Sequence, residues 1–193
     1  MIEPFINILT EYKEYDTLSS LLFVNKELYR YVSELNIGVI KINDEKEYNR
    51  WKYLKCYFDI KFRVDHLNYK NIVGLNLIYN ITIKDISMLT NLTSLSLYRN
   101  NTIKDINILT NLTTLDLCDN HTIKDISMLT NLTNLNLCFN HTIKDINMLT
   151  NLTSLDLRYN NTIKDISMLT NLAKLNLYYN NIIQDISMLT KLK

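Results

Sequence analysis

The chain has 193 residues, 47% of them hydrophobic and 21% charged, and its 21 basic residues face 20 acidic ones for a formal net charge of +1. That balance fits a single folded unit able to bury a core, and it excludes a disordered polyelectrolyte and a dedicated nucleic-acid binder, which would be markedly basic. With only 2 glycines, Gly38 and Gly74, and 1 proline, Pro4, no loop supplies the repeated glycines that cradle a phosphate or a dinucleotide.

The first residues carry Glu3, Glu11 and Glu14 and no basic lead, which is not the pattern of a secretory signal. No apolar run approaches about 18 residues, so no membrane span is expected. Three cysteines, Cys56, Cys118 and Cys138, are too few for a disulfide framework and fit a reducing compartment. The expected location is the cytoplasm, and no membrane partner is expected.

In residues 1–36, Phe5, Ile8, Leu9, Leu18, Leu21, Leu22, Leu28, Tyr29 and Val32 recur at helical spacings, which predicts a small helical unit. The piece Asp16-Thr17-Leu18, followed by Leu21-Leu22-Phe23-Val24-Asn25-Lys26-Glu27-Leu28-Tyr29-Arg30, resembles the second half of an F-box, with Pro4 near that motif's proline. The interval from Pro4 to Asp16 is shorter than usual, and Leu28 stands where the family has tryptophan. The resemblance implies recruitment to a cullin-RING ubiquitin ligase through the ligase's small linker protein, by way of Pro4, Ile8, Leu9, Leu18, Leu21, Leu22 and Val24. An equally concrete reading makes the same helices only a cap over the first apolar edge of a repeat stack.

In residues 37–71, Ile37, Ile40, Ile42 and then Tyr57, Ile60 and Phe62 repeat an apolar spacing, which predicts degenerate entry repeats. From residue 72 to 193 the sequence repeats with a period of 20, as Leu95, Leu115, Leu135, Leu155 and Leu175 show. The unit L-x-x-L-x-L-x-x-N, at Leu92, Leu95, Leu97 and Asn100 and again through Asn180, resembles the leucine-rich repeat. The following Ile103-Lys104-Asp105-Ile106 with Leu109 is similar to the return segment of internalin-type repeats.

The expected fold is therefore an α/β solenoid, a leucine-rich-repeat stack with a parallel concave sheet and an N-terminal helical cap. Leu95 and Leu97, two apart, point to one face of a short strand, and stacking joins Leu92, Leu95, Leu97, Ile103, Ile106 and Leu109 into one core. A 20-residue unit is too short for a strand, two turns and a full helix, so the convex side is expected to be a short 3₁₀ or single-turn segment started by Asp105. Asn80, Asn100, Asn120, Asn140, Asn160 and Asn180 sit where the strand turns away, and their amides are suited to pair backbone groups left open there.

Comparing the chain with its own copies separates frame from variable positions. The variable columns run through Ser94, Ser96, Tyr98 and Arg99 and their equivalents, on the outward side of the strand. Aromatic and arginine side chains anchor protein interfaces. The candidate partner-binding residues are Tyr98, Arg99, Asp116, Asp119, Phe139, Asp156, Arg158, Tyr159, Lys174, Tyr178 and Tyr179. Lys84, Lys104, Lys124, Lys144 and Lys164 are each followed by aspartate, which predicts a balanced solvated face. Triplets such as Asn91-Leu92-Thr93 and Asn120-His121-Thr122 read as by-products of the repeat rather than glycosylation sites.

Cys118 and His121 recur as Cys138 and His141 in the next repeat, a pairing that brings zinc or a disulfide to mind, though the inward asparagines between them separate the imidazoles from the thiols. No metal, cofactor or catalytic set is expected, and the chain reads as a non-enzymatic protein-binding module. Its amino-acid composition, rich in Ile, Asn, Lys and Tyr, resembles that of proteins from AT-rich genomes, and its repeat style resembles that of proteins from giant DNA viruses of amoebae and from slime moulds; for a viral protein the expected location is the host cytoplasm. The apolar edge around Leu189 and Leu192 would need a partner or a second copy to cover it.

Overall fold

The structure is a computed structural model, and it describes residues 39–42, 56–60, 72–81 and 83–193. The helical segment expected over 1–36 and the linker-binding residues proposed within it lie outside the described residues. So do Ile37 and Phe62 of the expected entry repeats.

Among the described residues, eight parallel strands form one sheet in strict chain order: β1 (Val39–Ile42), β2 (Cys56–Ile60), β3 (Ile72–Asn76), β4 (Ser94–Ser96), β5 (Thr114–Asp116), β6 (Asn134–Asn136), β7 (Ser154–Asp156) and β8 (Lys174–Asn176). From β3 onward the register advances by the sequence period. Leu75, Leu95, Leu115, Leu135, Leu155 and Leu175 stand side by side. From β4 onward each strand has three residues, because only three alternate before the chain bends away. The ladder nevertheless continues past it, with Leu97 N donating to Asp116 O at 2.8 Å and Arg99 N to Cys118 O at 3.1 Å.

The core runs through every coil. Leu92, Leu95, Leu97, Ile103, Ile106 and Leu109 are all buried, and their equivalents continue through Leu172. In the last coil Leu175, Leu177, Ile183 and Leu192 are only partly buried. No single coil has an inside without its neighbour, so the burial that stabilises the chain lies between repeats.

The return side takes the turn form of the expected short 3₁₀ or turn segment: among the described residues there is no helix of any kind, so no 3₁₀ helix stands there. Two single turns replace it. Leu109 N donates to Ile106 O at 3.0 Å, and Leu112 N donates to Leu109 O at 3.1 Å. Each turn closes on one i to i+3 bond and the next residue breaks the run, since Leu109 and Leu112 must both point inward. Asp105 does act at the start, but on a turn: its Oδ1 accepts from Asn107 N at 2.9 Å. The same bond recurs from Ser87 N to Asp85 and from Ser127 N to Asp125.

Buried asparagines carry the corner between sheet and return. The Asn140 amide donates to Leu117 O at 3.2 Å and Asn120 O at 2.8 Å, while its Oδ1 accepts from Thr142 N at 3.0 Å and Ile143 N at 3.1 Å. Two further ladders run beside it. The Thr142 hydroxyl donates to Ile123 O at 2.6 Å, and the Thr133 hydroxyl to Thr113 O at 3.1 Å. The Asn131 amide reaches Thr110 O in the preceding coil at 2.9 Å. The N-x-T triplets are thus built from the side chains that tie coil to coil, and Asn120 is fully buried.

Candidate binding face

The outward side of the sheet is built by three columns that follow the inward leucines. The first holds Asn76, Ser96, Asp116, Asn136, Asp156 and Asn176. Apart from serine at 96, each accepts the amide two residues on. Cys118 N donates to Asp116 Oδ1 at 3.0 Å, and Arg158 N to Asp156 Oδ1 at 3.0 Å. Asp116 and Asp156, expected as free binding residues, therefore also shape the turn by which the chain leaves the sheet. The restriction of this column to Asn, Asp and Ser was the visible signal of that role.

Asp116 is half-buried, takes a long bond from the Ser96 hydroxyl at 3.3 Å, and is pushed above the ordinary carboxylate range chiefly by burial. Asp156 instead holds Arg158 with both oxygens, Nε donating to Oδ1 at 3.0 Å and to Oδ2 at 2.8 Å, and Nη2 to Oδ2 at 2.7 Å.

In the second column Cys118 and Cys138 lie in adjacent coils, two residues past the paired Asp116 and Asn136. Both remain free thiols. Burial, with the neighbouring thiol, pushes Cys118 up to about 12. His121 is directed elsewhere, its Nε2 lying 3.0 Å from Asp119 Oδ1, and His141 lines a groove on the return side with Lys124, Lys144 and Met148. The asparagine between each cysteine and histidine turns inward and separates them. Among the described residues no three His, Cys, Asp or Glu side chains are placed to hold a metal ion.

The third column carries a feature the sequence did not announce. Tyr79, Arg99, Asp119, Phe139, Tyr159 and Tyr179 all have φ between 52° and 56°. This left-handed conformation normally goes to Gly or Asn and costs other residues roughly 1–2 kcal/mol. It follows from the sharp corner by which the next asparagine is turned into the core, closed by Asn140 N donating to Leu137 O at 3.0 Å.

Side chains in this column meet directly across the coils. Phe139 and Tyr159 stack with centroids 4.4 Å apart and planes at 8°, and Tyr159 and Tyr179 stack at 5.0 Å and 8°. Tyr178 packs edge-on against Tyr179 at 4.5 Å. At the other end Arg99 Nε meets Asp119 Oδ2 at 2.5 Å, and its Nη1 reaches the Tyr79 hydroxyl at 3.1 Å. The guanidinium also lies 5.3 Å from the centre of the Tyr98 ring. Arg99 and His121 together hold the Asp119 carboxyl below its usual range, the bond from Arg99 being the larger cause.

The face thus has an aromatic end, Phe139, Tyr159, Tyr178 and Tyr179, and a polar end around Tyr98, Arg99 and Asp119, with Arg158 between them. Lys174 is exposed at the aromatic end. On the return side the lysine column is exposed, and among the described residues none of its members forms an ion pair, because the aspartates beside them face the turn amides.

Comparison with known proteins agrees with this architecture. Residues 150–191 match the family model of leucine-rich repeats in two copies. No curated protein is similar enough in sequence to match the chain. Among solved structures, the chain is similar to an internalin, InlF, from Listeria monocytogenes at 26% identity and a TM-score of 0.60, over 93% of this chain and 60% of that one. It is also similar to internalin C2 from the same organism at 29% identity and a TM-score of 0.54, over 83% and 76%. A domain of InlJ, again from Listeria monocytogenes and including a cysteine ladder, aligns at 25% identity and a TM-score of 0.57, over 86% of this chain and 39% of that one. The chain spans less than two thirds of the length of the InlF structure. What the coils and the comparisons carry together is a solenoid of leucine-rich repeats with an internalin-like fold.

Proposed function

We propose that the chain is a non-enzymatic protein-binding module whose partner docks on the outward face of the sheet, centred on Phe139, Arg158 and Tyr159. The observation that carries this reading is the stacked ladder Phe139–Tyr159–Tyr179, held on backbone at φ 53–54°. Large aromatic side chains occupy a position where glycine or asparagine would relieve the backbone. Strain kept at a surface position is a motive for assigning it a role. Rigid rings flanked by a bidentate Arg158–Asp156 pair offer area with few rotors to freeze.

The finer version makes the module a substrate-recruiting adaptor of a cullin-RING ligase in the cytoplasm. It rests on residues 4–30 alone, whose F-box-like pattern is independent of the sheet face.

One capture experiment tests both levels. Immobilised full-length chain is compared with the triple variant Phe139→Ala, Arg158→Ala, Tyr159→Ala, each presented with cell extract and separately with purified linker protein of the ligase. Loss of the captured partner with an unchanged circular dichroism spectrum supports the sheet face, and undiminished capture removes it. Retention of the linker protein by both forms supports the adaptor; no retention by either leaves an interaction scaffold.

A further inference from the structure

A second surface lies on the return side, away from the aromatic ladder. Met88, Ile108, Met128, Met148, Met168 and Met188 occupy the same corner of six successive coils, and each is 57–64% exposed. The corner is the outer position of the turn closed by Leu129 N and Ile126 O at 3.0 Å, and likewise in the other coils. Buried Ile126 and Leu129 on either side point inward, so the residue between them is forced out. Turn corners ordinarily take polar residues. Here six in a row are large and apolar, and the one substitution, Ile108, keeps that character.

We infer that this stripe is the contact by which two copies of the chain associate side by side, with the two-fold axis parallel to the stripe. Two observations select a second copy. The stripe repeats identically with the rung spacing of the stack, roughly 4.8 Å, so the surface that matches it in register along its whole length is another stack of the same rungs. Its extent, six large side chains over five intervals, is that of an apolar patch of about 300–600 Å², which with its polar borders approaches the roughly 800 Å² per partner of a stable interface.

Border charges then choose the orientation. In chain order the first five coils present Lys and Asp before the apolar corner residue and uncharged Thr and Asn after it, as at Lys124, Asp125, Met128, Thr130 and Asn131, whereas the last has Gln184 and Asp185 before it and Thr190 and Lys191 after it. An axis along the stripe lays the charged border of one copy over the uncharged border of the other. An axis across the stripe would set lysine on lysine. The same border disfavours an anionic lipid surface, because the exposed Asp125, Asp165 and Asp185 carboxyls stay charged, held below their usual range by the turn amides. Methionine's flexible thioether suits packing against its own copy.

Sedimentation velocity of the full chain over rising concentration tests the proposal. The expected result is a reversible dimer that Met128→Lys with Met148→Lys converts to monomer without changing the circular dichroism spectrum. Under mild oxidation Met148→Cys should give a covalent dimer well above the level formed by the wild-type chain, whose own thiols are the control. Three results would each overturn the inference: a monomer up to millimolar concentration, a dimer unaffected by the lysine pair, or flotation of the monomeric chain with phosphatidylserine-containing vesicles that the lysine pair abolishes.

Discussion

At Phe139 the side chain and the backbone can be perturbed separately. The residue has φ 53°, its ring stacks on Tyr159 at 4.4 Å, and its amide donates to Arg158 O at 3.0 Å. Phe139→Ala and Phe139→Gly both remove the ring, so the lost stacking, about 0.5–1.5 kcal/mol, is common to the two. Their difference isolates the backbone. Alanine keeps the left-handed cost of roughly 1–2 kcal/mol, whereas glycine removes it and returns roughly 0.5–1 kcal/mol through the freedom it adds to the unfolded chain. The glycine variant is therefore expected to be more stable than the alanine variant by about 0.5–1 kcal/mol, the reverse of the order in an ordinary strand or helix. Equilibrium urea unfolding followed by far-ultraviolet circular dichroism reads this difference. An alanine variant as stable as the glycine variant would refute the claim that this corner is strained, and with it the argument that aromatic residues are held there against a backbone preference.

Asn140→Ala should cost about 3–5 kcal/mol, because it orphans the buried Asn120 carbonyl and the Ile143 amide while Leu117 O keeps its bond from Asn120 N; a loss below about 1 kcal/mol in the same urea titration would mean that water fills the corner. Asn180→Ala, in the half-open last coil, should cost clearly less. With its thiol pushed up to about 12, Cys118 should react with iodoacetamide at pH 8 at least about a hundredfold more slowly than an unperturbed thiol of pKa about 8.5. Mass spectrometry of timed quenches follows the rate, and labelling at the free-thiol rate would show that the pair opens readily.

The 20-residue period, the inward leucines and the asparagine corner were legible because each is fixed by residue type and repeated six times. What the sequence left hidden depends on which hydrogen bond a short segment closes. Ile106 and Leu109 are equally compatible with one helical turn or with separate turns, and only the inward demand at both Leu109 and Leu112 decides for turns. The third outward column contains no glycine or asparagine, so nothing in Arg99 or Tyr159 signals a left-handed backbone. Thr133, Thr142 and Asn131 passed for remnants of duplication, whereas each satisfies a carbonyl of the coil before it. The methionine column was masked by the same periodicity that exposes the core, since an apolar residue in every repeat resembles an inward position until the turn geometry places it outside.

The two long faces of the stack differ in the information they hold, and that difference bears on the partner proposed for each. Along the sheet face the set of outward side chains differs from coil to coil, its third column running from Arg99 to Asp119 to Phe139 to Tyr159, so each position along the stack is chemically distinct. A partner seated there has a single register, because a shift by one coil would move an aromatic contact onto Asp119 or a cation onto Phe139. Along the return side Met128, Met148 and Met168 are equivalent, and a slip by one coil loses only the terminal contact. Such a surface specifies direction through its borders and position only through its length. A heterologous ligand that must be recognised belongs on the first face, while an identical stack, whose length matches by construction, is the surface for which the second loses least.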